Sequence, residues 1–327
     1  MATQLSRYPS LAGLAGGDFL SSADLRADQN AELLHLAADL KAGRLTVSHP
    51  GRTLGLIFTK ASTRTRVSFT VAMARLGGQT IDLNPSVTQV GRGEPVPDTA
   101  RVLSRYMDAL AIRTFAQEEL EEYAHWASIP VVNALTDLEH PCQALADYLT
   151  LAECFAGEAD GRLTLERLQG LTLAYVGDGN NVAHSLMLCG ALLGVNVRIG
   201  CPVGYAPAQA VLTQARQLAA GRCSIEVVHE PVAAVRGAQA LYTDVWASMG
   251  QEEEKAAREQ AFAGWCLNEE LVAEADPRAI VLHCLPAYRE LEISAGVMEG
   301  SSNRIFDQAE NRLHAQQALL AALLDHA

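Results

Sequence analysis

The chain lacks a paired-cysteine pattern, an excess of basic residues and a long apolar run. Each absence closes off a class of protein. Its seven cysteines, at 142, 154, 189, 201, 223, 266 and 284, are odd in number and show no CxxC spacing. That argues against a disulfide framework or a structural zinc site and for a reducing, cytoplasmic setting. Lysine and arginine total 25 against 38 aspartate and glutamate, a net charge of −13. A duplex binder shows the opposite balance, so no nucleic-acid partner is expected, and any anion site must be built locally. The longest apolar run, about Leu186–Val195, falls short of the ~17–25 residues of a membrane span. The opening MATQLSRYPSLAGLAGGDF has no basic cluster leading into an apolar core. Neither a secretory signal nor a membrane partner is therefore expected.

What remains is an ordinary globular composition, 49% hydrophobic and 19% charged over 327 residues. Disorder and coiled coil are excluded as the main state, and the length suits two domains of ~150 residues each. No low-complexity tract or short repeat interrupts the pattern, which alternates apolar strands with amphipathic helices. In the first half the expected helices are Arg26–Ala42, Thr63–Leu76, Asp98–Met107, Ala116–Trp126 and Pro141–Cys154. The strands between them are Leu54–Phe58, Gln79–Leu83, Leu110–Arg113 and Val131–Asn133. A polar stretch, GEADGRLT at 157–164, marks the inter-domain region. The pattern then restarts with strand Leu171–Val176, a helix from about Val182, strand Val195–Ile199 and helix Ala206–Ala219. Strands near Ser224–Val228, Ala240–Thr243 and Ala279–Leu282 and a helical tail, Glu310–Asp325, complete it. The expected fold is α/β: two doubly wound parallel-sheet domains with the active site in the cleft between them. Residues 1–150, completed by a C-terminal helix at 310–327, form the first domain and 151–309 the second.

Ligands of open α/β sheets bind beyond the carboxyl ends of the strands, and polar clusters stand there in both halves. Ser62-Thr63-Arg64-Thr65-Arg66 follows a strand and opens a helix. Its hydroxyls, guanidiniums and free first-turn N–H groups suit a phosphate; the plainer reading is a capped helix with solvated arginines. No GxxxxGKS/T pattern is present, so a nucleotide P-loop is not expected. Arg113-Thr114 ends another strand. In His140-Pro141-Cys142-Gln143, proline suits the first helical position, which leaves His140 either a cap or a donor to a carbonyl oxygen. Gln143 offers an amide acceptor to an NH₂ group, and Cys142 reads as packing. In the second half, Gly177-Asp178-Gly179-Asn180-Asn181 resembles a dinucleotide turn without GxGxxG, or else a tight turn presenting the Asn181 amide. Asp244, in DVWASMG at 244–250, is a counter-charge for an amine or a capping carboxylate, and Gly250 permits a closing loop. Cys284, in HCLP at 283–286, is a nucleophile, an orienting contact or packing. Nothing local decides whether Arg312, in ENRLH before the last helix, is more than a surface charge.

Taken together, these motifs resemble the aspartate/ornithine transcarbamoylase family over nearly the whole chain, and within it the ornithine-using members. STRTR at 62–66 and HPCQ at 140–143 are similar to motifs shared across the family. Ser248-Met249-Gly250 after Asp244, HCLP at 283–286 and DQAENRLHAQQALL at 307–320 resemble the ornithine branch. Thr59 departs from the acidic residue that many relatives carry before Lys60. The resemblance implies an ordered reaction in which carbamoyl phosphate binds first and L-ornithine second, giving L-citrulline and phosphate, without a cofactor or metal. It implies that Ser62, Thr63, Arg64, Thr65 and Gln89 hold the phosphate. Arg113 and His140 would polarise the carbonyl, Gln143 would accept from the carbamoyl NH₂, and Arg312 would be a further carbamoyl contact. Asn181, Asp244, Ser248 and the Met249 backbone would hold the α-amino and α-carboxylate groups. Cys284, as an orienting group, and the Leu285 carbonyl would meet the δ-amine, and both are also expected among the carbamoyl-phosphate contacts. A homotrimer, or a multiple of trimers, is implied, with Gln89 near a neighbouring subunit's site. Val90–Glu94 looks more like the biosynthetic relatives, which implies arginine biosynthesis. A relative using putrescine or an N-acylornithine is the alternative.

Overall fold

The fold was analysed in a computed structural model that describes residues 5–84, 93–247 and 252–325. The chain forms two compact units, residues 1–149 with 310–327 and residues 150–309. In the first unit, α1 (Ala27–Lys41) precedes β1 (Thr53–Phe58), α2 (Arg64–Arg75), β2 (Gln79–Asp82) and α3 (Val96–Leu103). Then follow β3 (Ala109–Arg113), α4 (Gln117–Trp126), β4 (Val131–Leu135) and α5 (Pro141–Phe155). The second unit opens on a small hairpin, β5 (Glu158–Ala159) and β6 (Arg162–Leu163). It continues through β7 (Thr172–Val176), α6 (Asn181–Leu193), β8 (Asn196–Gly200), α7 (Gln209–Ala219), β9 (Ile225–Val228), α8 (Pro231–Val235) and β10 (Ala240–Thr243). After α9 (Lys255–Ala261) and α10 (Glu269–Ala273) come β11 (Ile280–His283) and α11 (Ala295–Met298); α12 (Ile305–Leu323) follows and belongs from Glu310 onward to the first unit.

Each unit is organised on one parallel sheet, ordered β2-β1-β3-β4 in the first and β11-β10-β7-β8-β9 in the second. In both, the winding reverses beside the first strand, between β1 and β3 and between β7 and β10. Such a reversal opens a crevice at the carboxyl ends of the two strands it separates. The register pairs Phe58 with Arg113 in the first sheet and Thr243 with Val176 in the second. The residues immediately after these pairs therefore sit at the crevices. Burial explains the strands: all six residues of β1 are buried, as are all four of β10 and β11, as fits strands covered on both faces. Helix α6 is buried from Val182 to Leu193, apolar on every side, and ends at Gly194 in the left-handed region, φ 74°.

The differences from the sequence pattern have local causes. Helix α3 begins at Val96, set by the two prolines 95 and 97. It ends at Leu103, where the Ser104 hydroxyl donates back to the Ala100 carbonyl at 2.7 Å. Helix α7 starts at Gln209 rather than Ala206, because a residue before proline disfavours the helical region. The polar stretch 157–164 forms the β5–β6 hairpin, whose turn residues Asp160 and Gly161 have φ of 52° and 73°. Helix α12 begins at Ile305, whose N–H is taken by Asn303 Oδ1 at 2.7 Å, so Arg312 lies inside the helix rather than before it.

The turn after β7 depends on Gly179. A β-carbon there would fall 2.3 Å from the Pro207 nitrogen and 2.6 Å from the Ala206 carbonyl carbon. Gly179→Ala is expected to destabilise the chain by ~1–3 kcal/mol. Denaturant unfolding checks this; an unchanged midpoint would contradict it.

Candidate active site

The first crevice is built from the ends of β1, β3 and β4. Ser62 was expected to cap α2, but Thr63 occupies the cap position. Ser62 Oγ instead accepts the Thr65 N–H at 3.3 Å, so one first-turn donor is already engaged. Of the two motif arginines, Arg66 is committed elsewhere: it pairs with Asp82 and lies over the Phe58 ring at 5.1 Å. Arg64 remains on the side of His140, whose titration it influences. Arg113 ends β3 at an irregularity in the β3–β4 register, between Ile112 and Arg113. Such a bulge re-aims a side chain. The Arg113 carbonyl accepts from the Thr59 N–H and hydroxyl at 2.9 and 3.1 Å, which ties the two strand ends together.

Four of the expected residues meet directly. The Arg312 guanidinium donates to Gln143 Oε1 at 2.5 Å and to Thr65 Oγ1 at 3.3 Å, and lies 3.5 Å from His140 Nε2. The opposite end of the Gln143 amide donates to Asp147 Oδ1 at 2.7 Å, one helical turn along α5. With Nε2 held there, Oε1 is the end turned to Arg312. Lys60, buried beside Phe115 with its ammonium 4.1 Å from the ring centre, pairs with Asp137. Sequence reading placed Lys60 in the polar cluster after β1 but missed Asp147. The i, i+4 spacing of Gln143 and Asp147 is the one signal that could have found it. Gln89 lies outside the described residues.

Burial, then the charges of Arg312, Arg113 and Arg64, hold the His140 imidazole well below its usual pKa. Three guanidiniums thus gather around a neutral histidine in a chain of net charge −13. Such a cluster suits an anion. Unfolded, His140 titrates near ~6.5. Between its folded and unfolded values only the unfolded chain takes up the proton, so its contribution to stability is lost as pH falls below about 6.5. The melting temperature of His140→Gln should therefore fall less than that of the wild type between about pH 7 and pH 5. Equal falls would contradict this.

The second crevice gathers the ends of β7, β10 and β11. Asn180, rather than Asn181, caps α6, with Oδ1 accepting from the Val182 and Ala183 N–H groups at 3.0 and 3.3 Å. Its Nδ2 donates to Asp244 Oδ2 at 3.0 Å. Asn181 is the first residue of the helix. Asn180 carries an ordinary N-cap signature and could have been read as such. Asp244 is buried; Oδ1 accepts from the Val245 N–H at 2.8 Å and from the Cys284 thiol at 3.0 Å. Arg258 of α9 ties this region together, donating to Asp178 Oδ2 at 2.7 Å and to the Trp246 carbonyl at 3.0 Å. Ser248, Met249 and Gly250 lie outside the described residues.

Asp244, His283 and Cys284 offer ligand atoms within 4.8 Å of one another. The histidine is nevertheless engaged at both nitrogens. Nδ1 accepts the Leu285 N–H at 2.8 Å, and Nε2 faces Glu292 Oε1 at 3.2 Å. Within the trio the Cys284 thiol donates to Asp244, while His283 is turned to Glu292 and the Leu285 N–H.

Each of the two doubly wound α/β units thus ends in a polar cluster at its crevice, a cationic one in the first and a buried carboxylate beside a thiol in the second, the arrangement of ligand-binding α/β domains. The family model described as the aspartate/ornithine carbamoyltransferase carbamoyl-P binding domain matches residues 17–153. That described as the aspartate/ornithine carbamoyltransferase Asp/Orn binding domain matches residues 169–323. The chain belongs to the aspartate/ornithine carbamoyltransferase family. It is 69% identical over 314 residues, 96% of each chain, to an ornithine carbamoyltransferase of Prochlorococcus marinus. A protein of the same name from Parasynechococcus marenigrum is 68% identical, again over 96% of each. Among solved structures, ornithine carbamoyltransferase from Pyrococcus furiosus superposes with a TM-score of 0.88 at 45% identity, covering 96% of this chain and 99% of that one. The Gloeobacter violaceus enzyme gives 0.84 at 53% identity, covering 94% and 98%.

Proposed function

We propose that the protein transfers the carbamoyl group of carbamoyl phosphate to the δ-amine of L-ornithine, releasing L-citrulline and phosphate. The observation that carries the choice of acceptor is Asp244, a buried carboxylate bonded to the Cys284 thiol at the second crevice. A carboxylate there favours an acceptor that carries a second amino group, such as ornithine, over one that carries a second carboxylate, such as aspartate.

The first unit holds the donor substrate. Ser62, Thr63, Arg64 and Thr65 take the phosphate, with Gln89 completing the set from its own or a neighbouring subunit. Arg113 and His140 point donors at the carbonyl oxygen, and Arg312 is a further carbamoyl contact. Gln143 Oε1, already oriented by Asp147, accepts from the carbamoyl NH₂. The second unit holds the acceptor. Asn181, Asp244, Ser248 and the Met249 backbone bind the α-amino and α-carboxylate groups, while Cys284 and the Leu285 carbonyl orient the δ-amine. Free in water that amine is protonated, with a pKa near ~10.4 for a lysine-like group, so the site takes up the neutral form. Its lone pair forms the new C–N bond. Negative charge gathers on the carbonyl oxygen and is met by donors already in place. Collapse breaks the C–O bond; phosphate leaves with the electron pair beside Arg64 and takes up the proton that the attacking nitrogen sheds. Cys284 orients the amine and forms no covalent intermediate.

The test is product formation from carbamoyl phosphate with L-ornithine, N-acetylornithine, putrescine and L-aspartate compared side by side. Turnover with L-ornithine alone is expected. Turnover with another amine alone would keep the donor site and overturn the acceptor assignment.

We also place the enzyme in arginine biosynthesis, in the cytoplasm, where its seven free thiols suit a reducing medium. We take it to be a homotrimer or a multiple of trimers. In keeping with an assembly, edge strand β2 and helix α2 leave Ile81 and Val67 42% and 54% exposed. Light scattering of the purified protein tests the oligomer.

A further inference from the structure

We propose that Glu292 is a positioning residue for the transfer reaction: through His283 it holds the Leu285 backbone beside Cys284. The inference rests on the reading that Cys284 and the Leu285 carbonyl orient the δ-amine. Glu292 and His283 are both buried. Glu292 Oε1 faces His283 Nε2 at 3.2 Å and also accepts the Tyr288 N–H at 2.6 Å, which fixes the carboxylate. At the other side of the ring, Nδ1 accepts the Leu285 N–H at 2.8 Å. A neutral imidazole has one N–H and one lone pair, and the partner of one nitrogen decides the role of the other. A carboxylate at Nε2 draws the hydrogen there and leaves Nδ1 as an acceptor. In the other tautomer, Nδ1–H would confront the Leu285 N–H, donor against donor.

The hold has a purpose in the backbone. Leu285 has φ 59°, a region disfavoured for a residue with a β-carbon. Such a conformation persists where its surroundings over-determine it. The bond from the Leu285 N–H fixes the peptide that joins it to Cys284. The base of the histidine is anchored separately: its own N–H donates to Gln308 Oε1 at 2.9 Å, and Gln308 Nε2 donates to the Tyr242 hydroxyl at 3.1 Å. Glu292 therefore supplies the tautomer rather than the position of the ring.

The test joins a spectroscopic and a kinetic reading on the full-length protein. In ¹⁵N-histidine-labelled wild type, the His283 resonances, assigned by their loss in His283→Asn, should report hydrogen on Nε2. Glu292→Leu should shift them towards the Nδ1–H form and lower kcat/KM for L-ornithine about tenfold. The dissociation constant for carbamoyl phosphate should stay within about twofold in both variants. Glu292→Gln, which keeps an acceptor oxygen, should restore the Nε2–H signature and most of the activity. Hydrogen on Nδ1, or on both nitrogens, in the wild type overturns the proposal even if Glu292→Leu fails to fold. So does full ornithine kinetics in Glu292→Leu, or a Gln variant as impaired as the Leu one. Failure of the underlying reading looks different: the wild type itself would make no citrulline.

Discussion

Replacing Arg113 with alanine lowers turnover about 10²–10³-fold while the chain keeps its fold, the loss expected when one donor to a developing oxyanion is removed. The fold survives because Arg113 ends β3 only half-buried, while the core of that strand is Ala109 to Ile112. The rate falls because this guanidinium, on a strand end whose backbone is tied to Thr59, acts on a histidine too buried and too close to cations to carry charge itself. Arg113→Lys should recover little of the rate, since an ammonium cannot reproduce the planar fork of donors. Initial rates of citrulline formation and a circular-dichroism melt check both halves of the claim. Near-normal turnover in a folded Arg113→Ala protein would contradict the assignment.

The second large effect is expected at Asp244. Asp244→Ala removes a buried carboxylate that receives the Asn180 amide, the Val245 N–H and the Cys284 thiol. Truncating one partner of a buried charge contact costs ~2–5 kcal/mol, so kcat/KM for L-ornithine should fall about 10²–10³-fold. Asp244→Asn keeps the shape but not the charge, and should lose most of the same factor. Carbamoyl phosphate binding, assigned to the first unit, should be unaffected. Calorimetry with carbamoyl phosphate alone, set against ornithine kinetics, separates the two. Equal losses in both, or no loss in either, would contradict the division of labour.

Much of this arrangement is legible in the chain because apolar strands such as Leu54–Phe58 and Ala240–Thr243 end abruptly in polar residues. Arg113, Asp244 and Cys284 stand out for that reason. The strand order is not legible: it is fixed by through-space pairing, and only that pairing shows which ends share a crevice. Helices α8, α9, α10 and α11 span only four to seven residues, too few to display a helical period. Asp147 is hidden within the apolar run of α5, and its meaning comes from Gln143 one turn away. Glu292 lies in an irregular segment nine residues beyond His283, where no periodicity points from one to the other. The last helix, expected from Glu310, starts earlier, at Ile305. The start signal is Asn303, well upstream.

The most direct test of the account is the ¹³C NMR spectrum of the product formed from ¹³C-carbamoyl phosphate and L-ornithine labelled with ¹⁵N at its δ-nitrogen. The account predicts one labelled ureido carbon coupled to the δ-nitrogen of citrulline, with phosphate released in equal amount. Label on the α-amine, or phosphate released without carbamoylation, would contradict it.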